Sequence, residues 1–184
     1  MGSLVESGSL LLAMPGMLDP NFMHTVVLLV DHTPQGAFGL VLNRQLRADL
    51  GGLMPERTNS PFPVYGGGPV EGQTLQFIHR LPQLIPDGTH LGQGLYLGGS
   101  FEAMLRAVEV QGAEQDLRVF LGSSGWGGGQ LEIELQTGSW RLAPPEAKSV
   151  FKGGSAEIVW RGILSGLDAE GEQLSRLPPD VRWN

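Results

Sequence analysis

The 184-residue sequence has the length of one compact domain, and its 41% of hydrophobic residues suffices for a sizeable core. It contains no cysteine, which excludes disulfides, thiolate nucleophiles, iron–sulfur clusters and cysteine-ligated zinc sites. The net charge is −7, with two lysines and ten scattered arginines, so direct binding to duplex DNA is disfavoured.

Apolar, β-branched runs separated by glycine, proline and polar turns predict more strand than helix. The run TVVLLV (25–30) is continuously apolar, which predicts a strand covered on both faces. Its antiparallel hairpin partner is predicted at AFGLVLN (37–43), across a loop at 31–36. The other predicted strands are 9–14, 64–70 (which runs into a glycine turn), 74–79, 94–99 and 116–122.

Helical features occur in three segments. A short helix is predicted within 46–53, inside an otherwise loop-rich region. Ser100 can cap a helix over 100–112, and the apolar stripe of 155–166 predicts another. We therefore predict an α+β fold with a single domain over 1–167, followed by a polar, proline-containing extension over 168–184.

The segment GSSGWGGGQLEIEL (122–135) follows a predicted strand and has the glycine content of a phosphate-binding loop. It lacks the lysine of a P-loop, the last glycine of a dinucleotide fingerprint and the last glycine of a serine elbow. We favour a tight turn covered by Trp126. The alternative is a cleft where backbone amides meet an anion and Trp126 stacks on a flat ligand.

Consecutive glycines also predict unusual backbone. We expect the glycines at 66–68 and those at 124–127 to lie where φ is positive or where another backbone segment comes close. After the second of these, residues 131–135 fit a strand by alternation and a helix by the i,i+4 leucines, so the local pattern leaves both open.

Isolated polar residues at strand ends form a second group of candidates. His32 and His79 each end a predicted strand and could face one rim, although no histidine spacing matches a metal site and structural hydrogen bonding is favoured. Arg44 follows Asn43 and could clamp a carboxylate or phosphate, with a salt bridge to an acid as the favoured role. The candidate ligand-binding residues are His32, Asn43, Arg44, Gly67, Gly68, His79, Ser124, Gly125, Trp126, Gly127 and Gln130.

Five separated segments resemble the AlgH/YqgE family of bacterial proteins. They are GSLLLAMPGMLDPNFMHTVVLLVDHTPQGAFGLVLNR, GGGPV, FIH, LGSSGWGGGQLEIEL and GSW, and the match extends to about residue 165. The resemblance implies a curved, largely antiparallel mixed sheet flanked by helices, with a helix after the glycine loop. It supplies no mechanism, and the family's transcriptional-regulator label comes from one member's link to alginate production. Ser123 and Gly128 depart from the bulky residue and the proline of many relatives, which predicts a looser loop.

These observations lead to an expected function without an assigned catalytic residue, metal or cofactor. We expect a cytoplasmic, non-enzymatic regulatory protein that acts through an unknown small molecule or protein partner. The alternative is an enzyme, or a nucleotide- or anion-binding protein, that uses the loop at 122–130. The stretch MGSLVESGSLLLAMPGM has neither a basic region nor a long apolar run, so we expect neither a signal peptide nor a membrane span there.

Overall fold

The fold is α+β, as predicted, and residues 5–177 of the chain are described by a computed structural model. The strands are β1 (Leu10–Ala13), β2 (Val26–Thr33), β3 (Gly36–Val41), β4 (Gln45–Asp49), β5 (Pro63–Gly66), β6 (Val70–His79), β7 (Thr89–Gly92), β8 (Leu95–Leu97), β9 (Leu117–Gly127) and β10 (Trp140–Ala143). The helices are α1 (Leu50–Leu53), α2 (Phe101–Ala107), α3 (Gln130–Gln136), α4 (Ala147–Val150), α5 (Ala156–Ser165) and α6 (Ala169–Ser175), with a 3-10 turn at Ala113–Gln115.

The strands form one large mixed sheet in the order β10-β1-β2-β3-β9-β6-β8-β7. Every neighbouring pair along this path is antiparallel. The exception is β5, which runs parallel to β9 and also pairs with β4. The predicted largely antiparallel mixed sheet is therefore confirmed.

The predicted hairpin is confirmed, but its connection is shorter than the loop predicted at 31–36. Strand β2 continues to Thr33 and pairs with β3 up to Gly36, which leaves only Pro34 and Gln35 between them. A register shift between Leu29 and Asp31 lets the strand continue past the apolar run. Leu28 packs in a core cluster on one face and Val27 in a cluster on the other, so the strand is covered on both faces, as predicted.

The glycine-rich segment predicted as a loop is mostly strand. Strand β9 continues through Gly127, and its end pairs with β3 at Ser124 to Gly39 and at Trp126 to Ala37. This ladder satisfies backbone groups that a loop would leave to water. The turn is thereby reduced to Gly128 and Gly129. The helix after it, implied by the family resemblance, is confirmed as α3.

The three helices predicted from local patterns are confirmed: α1 lies within 46–53, and α2 and α5 are present with one difference in length. The Ser100 hydroxyl accepts a hydrogen bond from the Ala103 amide and caps α2, which ends at Ala107 instead of reaching residue 112. Helix α5 begins after Ser155, whose side chain caps it in the same way. Short pieces with no clear period were missed in the sequence: β4, β7, β10, α4 and α6.

Helices on the two faces of the sheet enclose three apolar clusters. Trp160 of α5 packs with Leu28 and Phe120 in the first cluster, and Met104 of α2 packs with Val119 in the second. A third cluster forms on the other face of β1–β3 and contains Trp126, Leu131 and Trp140. The predicted extension from 168 begins with α6, which contacts α5, and its residues 178–184 lie outside the described part of the chain.

Candidate functional site

Trp126 is fixed in the third apolar cluster, at the end of β9. Its side chain is buried and lies against Phe22 and Trp140, with ring centroids 6.2 and 5.9 Å away. The indole Nε1–H donates to Glu134 Oε2 at 2.9 Å, and the same oxygen accepts from Trp140 Nε1–H at 2.7 Å. The polar atom that would orient Trp126 on a ligand is therefore used within the fold.

The other Glu134 oxygen ties helix α3 to the glycine segment. Gln130 Nε2 donates to Glu134 Oε1 at 2.8 Å, and Gln130 Oε1 accepts from the Gly127 amide at 3.0 Å. Beside this network, His32 Nε2 lies 2.6 Å from Glu132 Oε1. The pKa of Glu132 is lowered by a hydrogen bond from its own backbone amide and then by His32. These contacts dock α3 onto the sheet.

The glycine turn at 66–68 crosses β9 at close range. A Cβ atom at Gly67 would collide with the carbonyl of Gly122, and one at Gly68 would collide with that of Ser123. Gly68 also has a φ of 145°. The Ser124 hydroxyl donates to the Gly67 carbonyl at 3.0 Å. The expected close approach of another backbone at 66–68 is confirmed.

The same expectation was wrong for 124–127. Gly125 and Gly127 do not have a positive φ, and a Cβ at either would come no closer than 3.9 Å to its neighbours. The left-handed conformations lie at the flanks, at Gly122 (φ 76°) and Gly129 (φ 75°). Strand pairing with β3 gives the middle of the segment an extended backbone that other residues can adopt.

Asn43 and Arg44 act as connectors between chain segments. The buried Asn43 amide accepts from the Val26 amide at 2.9 Å and donates to the carbonyls of His24 (2.7 Å) and Ala156 (2.8 Å). The Arg44 guanidinium binds carbonyls of the turn at 20–23 instead of the predicted acid. Burial lowers the pKa of Arg44. The carbonyls of this turn lie within hydrogen-bonding distance of the guanidinium, so they take the place of an acidic partner.

His79 is fully buried in β6. Its Nε2 lies 2.9 Å from the Gly98 carbonyl oxygen, and Nδ1 accepts from the Leu81 amide at 3.1 Å. The ring stacks on Tyr96 with the centroids 5.6 Å apart, and burial lowers the pKa of His79. His32 lies on β2, three strand spacings from β6, which is roughly 14 Å across the sheet. The two histidines therefore lie in separate surroundings.

Three of the predicted candidates line two cavities that share Arg44. A cavity of about 200 Å³ has Arg44 and Gly68 in its wall, and one of about 570 Å³ has Asn43 and Arg44 in its wall. The first is smaller than the roughly 300 Å³ at which small-molecule sites begin. The other candidates line neither of them: His32, Gly67, His79, Ser124, Gly125, Trp126, Gly127 and Gln130.

Sequence reasoning missed a cavity of about 540 Å³ between β10, α4 and α5. Its wall includes both lysines of the chain, and we call it the lysine cavity. Buried apolar residues from three distant segments contribute to the wall: Leu10, Ala143 and Ile163. The signals that could have found it are the lysine pair four residues apart, next to a Pro-Pro step, and two glycines four apart in a helical segment. The rest of the wall is Pro144, Pro145, Glu146, Lys148, Lys152, Gly162, Gly166 and Leu167.

The two lysines at this cavity differ in their contacts with acidic side chains. Lys148 Nζ lies 3.1 Å from Glu146 Oε1, and the Ser149 hydroxyl donates to the other oxygen of Glu146. The Ser149 hydrogen bond, and after it the two lysines, lower the pKa of Glu146. Lys152 makes no ion pair with any residue in the range 5–177. Lys152 therefore acts on Glu146 only at longer range, without a direct ion pair.

Among residues 5–177, histidine, aspartate and glutamate side chains form no group of three that could hold a metal ion. No helix in the same range combines the length and the apolar character needed to cross a membrane.

Residues 10–171 match the family described as AlgH-like. The chain belongs to the AlgH-like family. It is 35% identical to a UPF0301 protein of Bacteroides thetaiotaomicron, over 98% of this chain and 92% of that protein. A UPF0301 protein of Cytophaga hutchinsonii is 33% identical, over 98% of this chain and 100% of the relative.

Two solved structures share this fold. The AlgH protein of Pseudomonas aeruginosa superposes with a TM-score of 0.70 at 28% identity, over 91% of each chain. A protein from Corynebacterium diphtheriae gives a TM-score of 0.76 at 23% identity, over 95% of this chain and 94% of that one, and is similar in fold alone. The family resemblance noted in the sequence is confirmed.

Proposed function

We propose that this AlgH-like protein is a cytoplasmic, non-enzymatic regulatory protein that acts by binding a small molecule or a protein partner. The proposal is carried by one observation: polar side chains that could have formed a catalytic site make hydrogen bonds within the fold instead. Asn43, His79 and Trp126 have their polar atoms in internal hydrogen bonds. A general base must reach a substrate proton, and His79 could do so only by giving up a backbone partner. Space of ligand size lies at the lysine cavity and at the cavity beside Asn43 and Arg44, whose side chains are already engaged by backbone groups.

The alternative, an enzyme or anion-binding site in the segment 122–130, is less well supported by the backbone. The end of β9 pairs with β3 from Gly39 to Gly36, so amides in this stretch serve the sheet. An anion-binding loop needs several free N–H groups that converge on one point. We therefore rank a binding function above this alternative.

The proposal does not include direct binding to duplex DNA. The chain has a net charge of −7, and several arginines are engaged inside the fold. Arg44 and Arg118 donate to backbone carbonyls, and Arg141 pairs with Asp168 at 2.5 Å. DNA binding draws its affinity from cations that face phosphates on one surface. A regulatory role would then operate through a bound molecule or another protein.

The test follows binding and turnover in the same sample. The purified protein is equilibrated with a bacterial metabolite extract and passed rapidly through a gel-filtration column. Mass spectrometry then measures the compounds that elute with the protein and those that remain in the extract over time. An unrelated acidic protein of similar size serves as the control. A parallel sample of cell lysate is passed over immobilised protein to detect partners.

We expect at least one compound or protein to be retained in stoichiometric amount, and no compound to be consumed further over time. Loss of a compound at a rate proportional to protein concentration would contradict the non-enzymatic part of the proposal. If neither a compound nor a protein is retained, the binding function is wrong.

A further inference from the structure

We propose that the lysine cavity binds a small organic anion that has an apolar body and a single carboxylate or phosphate head. The proposal rests on the binding function proposed above and assigns it a place and a ligand class. The size and the lining of the cavity both support it. Its volume of about 540 Å³ lies within the range of small-molecule sites. Its wall combines apolar side chains with one carboxylate and two ammonium groups.

The apolar part of the lining is formed by side chains that the fold already holds in place. Leu10 and Ala143 come from neighbouring strands and are 1% and 2% exposed, and Ile163 of α5 is 5% exposed. Pro144 and Leu167 contribute further apolar surface. An alkyl or other apolar body in the cavity would contact mainly Pro144 and Leu167, because Leu10, Ala143 and Ile163 are already almost fully buried behind them.

A glycine in helix α5 supports the same place. Gly162 lies in the interior of the helix, where glycine is less stable than alanine by about 1 kcal/mol. Its φ is not positive, and a Cβ atom there would meet nothing within 4 Å. Neither backbone conformation nor contacts within residues 5–177 therefore explain the glycine. A molecule that lies against the helix backbone in the cavity would explain it.

The charges select the sign of the head group. Glu146 is engaged directly by Lys148 and by the Ser149 hydroxyl, whereas Lys152 acts on Glu146 at longer range and makes no direct ion pair in the described chain. The chain has only these two lysines, and both line this cavity while the protein as a whole is acidic. An anionic head would complete the pairing of Lys152, and a cationic head would be repelled by it.

The experiment uses octanoate as the probe and the neutral 1-octanol as its matched control. Each is titrated into the isotopically labelled full chain, and backbone amide shifts are followed by NMR. We expect saturable shifts that cluster at Gly162, Ile163 and Gly166, with 1-octanol binding roughly threefold to tenfold more weakly because it lacks the charge. Shifts that are absent, or scattered away from the cavity, would overturn the proposal.

Two variants test the lining. Lys152→Gln should weaken octanoate binding by about threefold to tenfold, whereas Arg47→Gln, an equal charge change at an exposed arginine of β4, should not. Gly162→Leu should weaken both probes by more than about tenfold, because the new side chain enters the cavity. Thermal melts of each variant show whether the fold is kept. Unchanged octanoate affinity in either folded cavity variant would overturn the proposal.

The two proposals can fail separately. If the metabolite extract yields a retained compound whose binding is unaffected by Gly162→Leu, the binding function stands and the site is wrong. If 1-octanol binds as tightly as octanoate, the anionic class is wrong.

Discussion

The glycines of the 67–68 turn and Gly162 of helix α5 represent opposite uses of the same residue. At Gly67 and Gly68 a Cβ atom would strike the backbone of β9, so the chain's own crossing demands glycine. At Gly162 a Cβ would meet nothing within 4 Å and φ is not positive, so the described chain makes no such demand. The first two glycines are therefore explained by the fold, and Gly162 is not.

The same contrast separates the two regions in which these glycines lie. Between β9 and α3, the Glu134 carboxylate accepts hydrogen bonds from Trp126, Gln130 and Trp140. Few polar atoms of this network remain free to bind a ligand. Around α5, an ammonium group and an apolar wall face an open cavity. Substitutions of the buried side chains in the first region should lower stability strongly, whereas substitutions of Gly162 and Lys152, which line the cavity, should lower it little.

The largest effect is expected for Trp126→Ala. Removing a ring that is only 6% exposed should lower the free energy of unfolding by about 3–5 kcal/mol, because it empties the centre of an apolar cluster. Chemical denaturation measures the change. The control Trp126→Phe keeps one aromatic ring and loses the other together with the N–H that Glu134 accepts, so its loss should be smaller than that of the alanine variant. A loss below about 1 kcal/mol for the alanine variant would contradict the packing role.

Gly68→Ala should have the next largest effect. Its φ of 145° disfavours any side chain, and the new methyl group would collide with the Ser123 carbonyl. Strain and displacement together should lower the free energy of unfolding by about 2–4 kcal/mol. Gly125→Ala is the matched control, because its nearest neighbour is the Val70 Cγ2 atom at 3.9 Å. Similar losses for both variants in denaturation would show that the backbone crossing is not the cause.

Several elements of the fold could be predicted from the sequence. The hairpin β2–β3, helices α2 and α5 and the close approach at 66–68 followed from local patterns. The extension of β9 through Gly127 could not follow, because glycine is a poor strand former and the pairing partner lies about ninety residues earlier in the chain.

The site was harder to predict than the fold. Asn43 bonds Ala156 across 113 residues, a contact that no local window contains. The sequence predicts an acidic partner for Arg44, whereas its partners in the structure are backbone carbonyls of the turn at 20–23. The lysine cavity combines segments near residues 10, 145 and 163, so only its lysine pair was visible in the sequence. Hydrogen-bonding roles follow from tertiary proximity, which composition does not encode.

A smaller, pH-dependent effect is expected from the buried histidines. Burial lowers the pKa of both His79 and His24 below the ordinary 6.5, so below about pH 6.5 the unfolded chain binds more protons than the folded one. The stability from neutral His79 is full above pH 6.5 and is lost as the pH falls through that value towards the lowered pKa. The melting temperature should therefore fall between pH 7.5 and 5.5. In His79→Asn the fall should be smaller but not absent, since His24 remains; an equal fall in both proteins would contradict the assignment to His79.

The smallest effect, and the only gain in stability, is expected for Gly162→Ala. Alanine favours the helix by up to about 1 kcal/mol and its methyl group enters open space, so nothing opposes the gain. For a chain of this length the melting temperature should rise by about 2–4 °C, which calorimetry can resolve. Gly166→Ala is the contrasting variant, because Gly166 lies at the C-cap of α5 and not in the interior of the helix. If Gly162→Ala instead lowers the melting temperature, the space beside α5 is not open to a side chain, and the difference between the two kinds of glycine disappears. A rise means that glycine at this position lowers the stability of the fold, which is the expected result where the cavity is kept open for a ligand.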